Sequence, residues 1–144
     1  MRVSSILSTK GSAVLTTTPS TEIAVAVDEL RRGGVGALVV STDGRHIDGI
    51  LSERDVVRRL AENGDAVLAE PVASAMTTEV VTCTPDDDLE RLARRMTETR
   101  CRHLPVVTDD CLVGIVSIGD VVKARLQQLE DETRQMQEYI ATGR

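Results

Sequence analysis

GILSERD at residues 49–55 recurs as GIVSIGD at residues 114–120, and this pair decides how the chain is read. Each run passes from apolar residues through serine to aspartate, the pattern of a strand that turns directly into a helix. The likeness spreads outward from there. VLTTTP, Val14 to Pro19, matches VVTCTP, Val80 to Pro85, and GALVV, Gly36 to Val40, matches RHLPV, Arg102 to Val106, at an offset of 66. Leu30 falls on Met96 at that offset, and one residue fewer in the second loop brings it to 65 for the opening pair. Internal repetition on this scale makes duplication the first organising fact.

Both copies read alike. A strand ends in Thr-Pro, and a helix follows in which Ser20 or Asp86 can cap free amides. Ile23, Val27 and Leu30 give that helix one apolar stripe, as do Leu89, Ala93 and Met96. Gly33-Gly34 stops the first helix. Two apolar runs come next, Ala37 to Val40 and Ile47 to Leu51 in one copy, Leu104 to Val107 and Leu112 to Ser117 in the other. Asp43-Gly44 and Asp109-Asp110 supply hairpin-type turns between them. A second helix begins near Ser52 and near Ser117. The expected fold class is α+β, with two β-α-β-β-α repeats packed pseudo-symmetrically because neither covers its own small sheet. Repeat one is expected over residues 1–62, a linker over 63–71, repeat two over 72–124, and an amphipathic C-terminal helix over 125–144.

Composition narrows the function classes. Hydrophobic residues make up 41% and charged residues 28% of 144, ordinary for a folded globular chain. Trp and Phe are absent and Tyr139 is the single aromatic, so base-stacking platforms for nucleic acid are missing. A net charge of -6 argues against both nucleic acid and a membrane surface as partners. No apolar run reaches the roughly 20 residues of a membrane span, and no charged-then-apolar leader precedes the fold, so a cytoplasmic location is expected. Cys83, Cys101 and Cys111 are odd in number without C-x-x-C spacing, which signals neither a disulfide framework nor a zinc site.

The S-x-x-D turn has two physical readings. A helix N-terminus offers free N–H groups and partial positive charge to a phosphate, the serine hydroxyl adds a donor, and the carboxylate can accept from both ribose hydroxyls. The same four residues also form a capping box that satisfies backbone donors and binds nothing. Two such turns at matching repeat positions, each after Gly-Ile, favour a ligand for at least one. Gly49 and Gly114 are candidates for close backbone approach. Arg54 and Arg102 can neutralise phosphate, while Arg100 reads as solvated surface charge. His103 is either a ligand contact or a structural imidazole, and Cys101-x-His103 lacks a third metal ligand.

The Thr-Pro strand end, the apolar strand with Pro105 and the paired G-h-h-S-x-x-D turns resemble the cystathionine-β-synthase (CBS) domain, here as the tandem pair called a Bateman module. The resemblance runs from about Val3 to Lys123. It implies a ligand cleft between the repeats for AMP, ADP, ATP, NAD or S-adenosylmethionine, with no cofactor required. Carried onto this sequence, it implies ribose contacts from Asp55 and Asp120 and phosphate contacts from Ser52, Ser117 and Arg54. The base pocket would be lined by Val35, Gly36 and Ala37 in one copy and Cys101, Arg102 and His103 in the other. Val39 stands where the family often has proline. GILSERD carries Glu53 and Arg54 where GIVSIGD has Ile118 and Gly119, so the two sites should differ.

Beyond the second turn, Val122, Leu126, Leu129, Thr133, Met136 and Ile140 alternate steps of four and three. A helix this long needs its stripe covered, and a second subunit would do so, giving a homodimer. The expected function is a non-catalytic regulatory sensor whose ligand state alters repeat orientation and an unidentified protein partner's surface. A structural dimer without ligand is the alternative. An enzyme related to inosine monophosphate dehydrogenase is the third reading, but its barrel needs roughly 200 residues or more.

Overall fold

The computed structural model describes residues 1–143. It opens with a helix that the duplicated pattern does not contain, α1, Val3–Lys10. The first repeat follows as β1 (Thr16–Thr17), α2 (Ile23–Gly33), β2 (Ala37–Val40), β3 (Gly49–Ser52) and α3 (Glu53–Asn63). Two short 3-10 turns, Asp65–Ala69 and Val72–Ser74, lead to α4 (Leu89–Thr99), β4 (His103–Thr108), β5 (Cys111–Ser117) and α5 (Ile118–Thr142). The expected α+β architecture, two repeats and a long C-terminal helix, is the one observed.

β1 lies parallel to β2, and β2 antiparallel to β3. In the second repeat β4 and β5 form an antiparallel hairpin, and the Thr-Pro strand shrinks to one bridge between Cys83 and Val106. The departure at Val39 explains the difference. Val39 donates its amide to the Leu15 carbonyl at 3.3 Å, whereas Pro105 at the equivalent place has no N–H to give. Asp109 and Asp110 both take positive φ, 51° and 62°, as a tight hairpin turn of the I′ type requires.

Helix starts and stripes depart from the sequence reading by a few residues. Ser20 and Asp86 sit in turns closed by Thr21 N–H to Thr18 O and Asp87 N–H to Thr84 O, so neither caps a helix. Asp88 caps α4 instead, accepting from the amides of Glu90 and Arg91, while Glu22 precedes α2 without a side-chain cap. The buried stripes are Ile23, Ala26, Leu30 and Leu89, Leu92, Met96. Val27 faces partly outward, and Ala93 lies at the edge of its core. A few tens of degrees of helix rotation separate these choices, and the sheet beneath decides between them. Gly34 ends α2 in the left-handed conformation, φ 60°, as its position implied.

Each repeat has its own aliphatic core. Ile23, Leu38 and Leu51 anchor the first, and Leu89, Leu104 and Val116 the second. Val67 and Val72, between the repeats, are fully buried in the first core. α1 comes first in sequence but belongs to the second core, to which it adds Val3 and Ile6. Its backbone is tied there as well: Val3 N–H donates to Asp87 O at 3.0 Å and Ser4 N–H to Pro85 O at 2.9 Å.

Candidate functional site

The β3–α3 and β5–α5 turns are built alike. Ser52 caps α3: its hydroxyl accepts from the Asp55 amide at 3.2 Å, and Asp55 Oδ2 accepts from the Ser52 amide at 2.8 Å and from the Ser52 hydroxyl at 2.9 Å. Ser117 and Asp120 repeat the reciprocal backbone pair at 3.2 and 2.8 Å. Both capping boxes are therefore formed. Glu53 N–H is taken by Gly36 O at 3.0 Å and Ile118 N–H by Arg102 O at 2.8 Å, which pins each turn to the first strand of its own hairpin. In the first turn the Arg54 amide lies at the positive end of α3, among the first amides that have no carbonyl one turn back within their own helix.

Capping consumes only one oxygen of Asp55. Its Oδ1 meets the Thr77 hydroxyl at 3.3 Å and the Arg58 guanidinium at 3.9 Å, on the side of a cavity of about 530 Å³. That volume lies in the range of small-molecule sites, roughly 300–1,000 Å³. The cavity lies between the repeats. Ser52, Arg54 and Asp55 line it from the first, and Cys101, Arg102 and His103 from the second. Gly36 joins them, and a side chain there would meet the His103 ring at 2.9 Å, so the imidazole packs on bare backbone.

The other sequence candidates lie elsewhere. Ala37 is buried within β2 and Val35 lines a separate shallow hollow beside Glu53, so neither reaches this cavity. Ser117 and Asp120 do not line it either. Asp120 Oδ2 instead accepts from Lys10 Nζ at 2.6 Å. Gly49 and Gly114 do admit close neighbours, but these are Met76 with the Thr77 carbonyl and Leu7, parts of the protein itself.

Sequence reading missed several cavity residues. Arg58 follows Asp55 by one helical turn and was in principle detectable; Thr77 and Glu79 carried no signal. Arg100 is exposed as expected, yet it rims the cavity in a left-handed conformation, φ 56°. Four arginines, Arg54, Arg58, Arg100 and Arg102, thus face three carboxylates, Glu53, Asp55 and Glu79. No group of three metal-ligating side chains forms around Cys101 and His103, or elsewhere among the described residues. Cys83 is buried in the second core, which pushes its thiol up to about 12.

Burial pushes the His103 imidazole below its ordinary 6.5; Glu53 and Asp120 oppose this, and Lys10 and Arg102 add to it. The ring is therefore neutral at pH 7. Its contribution to stability is present above about pH 6.5 and is lost as pH falls through the lower folded value. The His103 ring-proton NMR titration should show a midpoint under 6.5, and a midpoint at or above it would contradict this placement.

Residues 3–62 and 72–127 each match the family model of the CBS domain. The chain belongs to the CBS-domain family. As a tandem CBS pair it is similar to the CBS-domain containing protein ATU1752 from Agrobacterium tumefaciens, at 42% identity and a TM-score of 0.84 over 87% of this chain and 99% of that one. It is 34% identical to the mitochondrial CBS domain-containing protein CBSX3 of Arabidopsis thaliana, covering 98% of this chain and 72% of the relative. The CBS domain pair of protein MJ0100, solved with 5-methylthioadenosine and S-adenosyl-L-methionine, shares the fold at a TM-score of 0.79 and 23% identity, over 89% and 98% of the two chains. No helix among the described residues is long and apolar enough to cross a membrane.

Proposed function

We propose that this CBS pair is a non-catalytic sensor that holds an adenine nucleotide between its repeats. The observation that carries the reading is the cavity at Asp55, where a carboxylate oxygen that capping does not use, met by the Thr77 hydroxyl at 3.3 Å, and a helix N-terminus stand among four arginines. Asp55 Oδ1 would accept from the ribose hydroxyls, and the Arg54 amide with the arginines would receive phosphate. Cys101, Arg102 and Gly36 would border the base. The cation-rich wall favours AMP, ADP, ATP or NAD over S-adenosylmethionine, whose sulfonium carries positive charge. The ligand seen in MJ0100 makes S-adenosylmethionine the second arm of the test. Because the cavity takes walls from both repeats, an occupant would bias their relative orientation and so a surface offered to a regulated protein.

Isothermal titration of the full chain with AMP, ADP, ATP, NAD and S-adenosylmethionine should give heat with at least one nucleotide. Heat with none, from a sample shown to be folded by circular dichroism, would leave a structural CBS pair whose serine turns are only caps. Turnover of inosine monophosphate with NAD would point to an enzyme instead. Three unpaired cysteines suit a reducing, cytoplasmic setting.

The reading includes a homodimer through α5. Val122, Leu126, Leu129, Met136 and Ile140 lie along its seam, exposed by 46% at Leu129 to 75% at Ile140. In a parallel pairing Arg125 of one copy faces Glu130 of the other. The antiparallel register would set Glu130 and Glu132 against their own copies, so charge favours the parallel form. Leu126→Glu with Leu129→Glu should raise the dimer dissociation constant at least about 100-fold by analytical ultracentrifugation. A wild type that sediments as a monomer at every concentration would remove the dimer from the reading.

A further inference from the structure

The two turns share a capping box but not a set of neighbours. At the first, the segment that covers Gly49 ends in Met76 and Thr77, and the strongest contact it offers Asp55 is a hydroxyl at 3.3 Å. At the second, α1 covers Gly114 with Leu7 and sends Lys10 across the turn. The Lys10 ammonium donates to Asp120 Oδ2 at 2.6 Å and to the Ile115 carbonyl at 2.9 Å. Val72 N–H donates to Thr21 O and Ala73 N–H to Pro19 O, as Val3 and Ser4 donate to Asp87 O and Pro85 O, so Leu7 corresponds to Met76 and Lys10 to Glu79, and the cation is a feature of one copy only.

We infer that Lys10 is a built-in occupant of the second turn, so that the chain holds one adenine nucleotide at Asp55 and none at Asp120 while α1 is docked. The inference rests on the nucleotide reading of the first cavity. The ammonium takes the carboxylate that a ribose would need; Leu7 over Gly114 has its match in Met76 over Gly49, so the lysine is what sets the two turns apart. The pair is half-buried, with side chains 34% and 23% exposed, and it is stapled by α1, whose Val3 and Ile6 are locked in the second core. Displacing Lys10 therefore means loosening α1, which makes its contact a determinant of how many ligands the chain takes.

Lys10→Met, which keeps an unbranched side chain of similar length without the ammonium, should raise the stoichiometry of ATP or AMP titration from one to two per chain. Lys10→Ala should do the same, and Lys10→Arg, which keeps the cation, should stay at one. Two ligands per wild-type chain, or one in both Lys10→Met and Lys10→Ala, would overturn the inference. If α1 loosens so far that Lys10→Met fails to fold, Lys10→Ala and Asp120→Ala, which should leave wild-type affinity and a stoichiometry of one unchanged, still decide it. No heat from any variant would instead bring down the nucleotide reading itself, and this inference with it.

Discussion

Asp55→Ala is expected to weaken nucleotide binding by roughly 10-fold to 150-fold, the worth of about 1.5–3 kcal/mol for hydrogen bonds to a charged acceptor. The carboxylate is 8% exposed, and its Oδ1 borders the cavity while Oδ2 holds the start of α3. The substitution therefore also removes a capping box, at a cost of about 1 kcal/mol in stability. Asp120→Ala separates the two effects. It deletes the matching box at the start of α5 and should lower stability by a similar amount, but it lies off the cavity and should leave affinity within about twofold. Equal losses of affinity in the two variants, or none in Asp55→Ala, would refute the assignment of the site to the first turn.

Ile6→Ala is expected to cost about 3 kcal/mol, since this residue is 6% exposed and packs in the second core. For a chain of this size that corresponds to a fall in Tm of about 10 °C. The location of the damage matters more than its size. Hydrogen exchange should accelerate first at Leu104, Val106 and Val116, not at Leu38 and Leu51, although Ile6 precedes the first repeat in sequence. Faster exchange confined to the first repeat would show α1 docked on the wrong core. Loosened α1 should also free Lys10, so the variant provides an independent route to second-site binding.

The pH response of the second turn carries the same contact. Burial raises the Asp120 carboxyl, but the hydrogen bond from Lys10, the Ser117 amide and the Lys10 charge together bring it below its ordinary 3.8. That interaction contributes stability above about pH 4, lost as pH falls through the lower folded value.

Much of the site was legible because its parts are local. A strand of apolar residues ending in serine, with aspartate three further on, can place a helix N-terminus by short-range hydrogen bonds alone, and both turns formed as read. The hairpin turn at Asp109-Asp110 and the stop at Gly34 follow from backbone preferences of single residues. Stripes were read less well. Val27 and Ala93 sit within a few tens of degrees of the buried face, so the periodicity that located α2 and α4 could not say which flank the sheet would cover.

The duplication itself, the order of elements and the two serine turns were determined by sequence, because repeated short-range signals at a constant offset need no knowledge of what packs on what. Tertiary structure decided the rest. Whether a turn faces a cavity or a lysine depends on which segment lies across it, and those segments, Met76-Thr77 and α1, reach their turns through contacts distant in sequence. Lys10 and Asp120 are 110 residues apart yet 2.6 Å from each other. Nothing periodic links them; burial of Val3 and Ile6 in the second core brings α1 there, and that burial is what makes two like motifs into unlike sites.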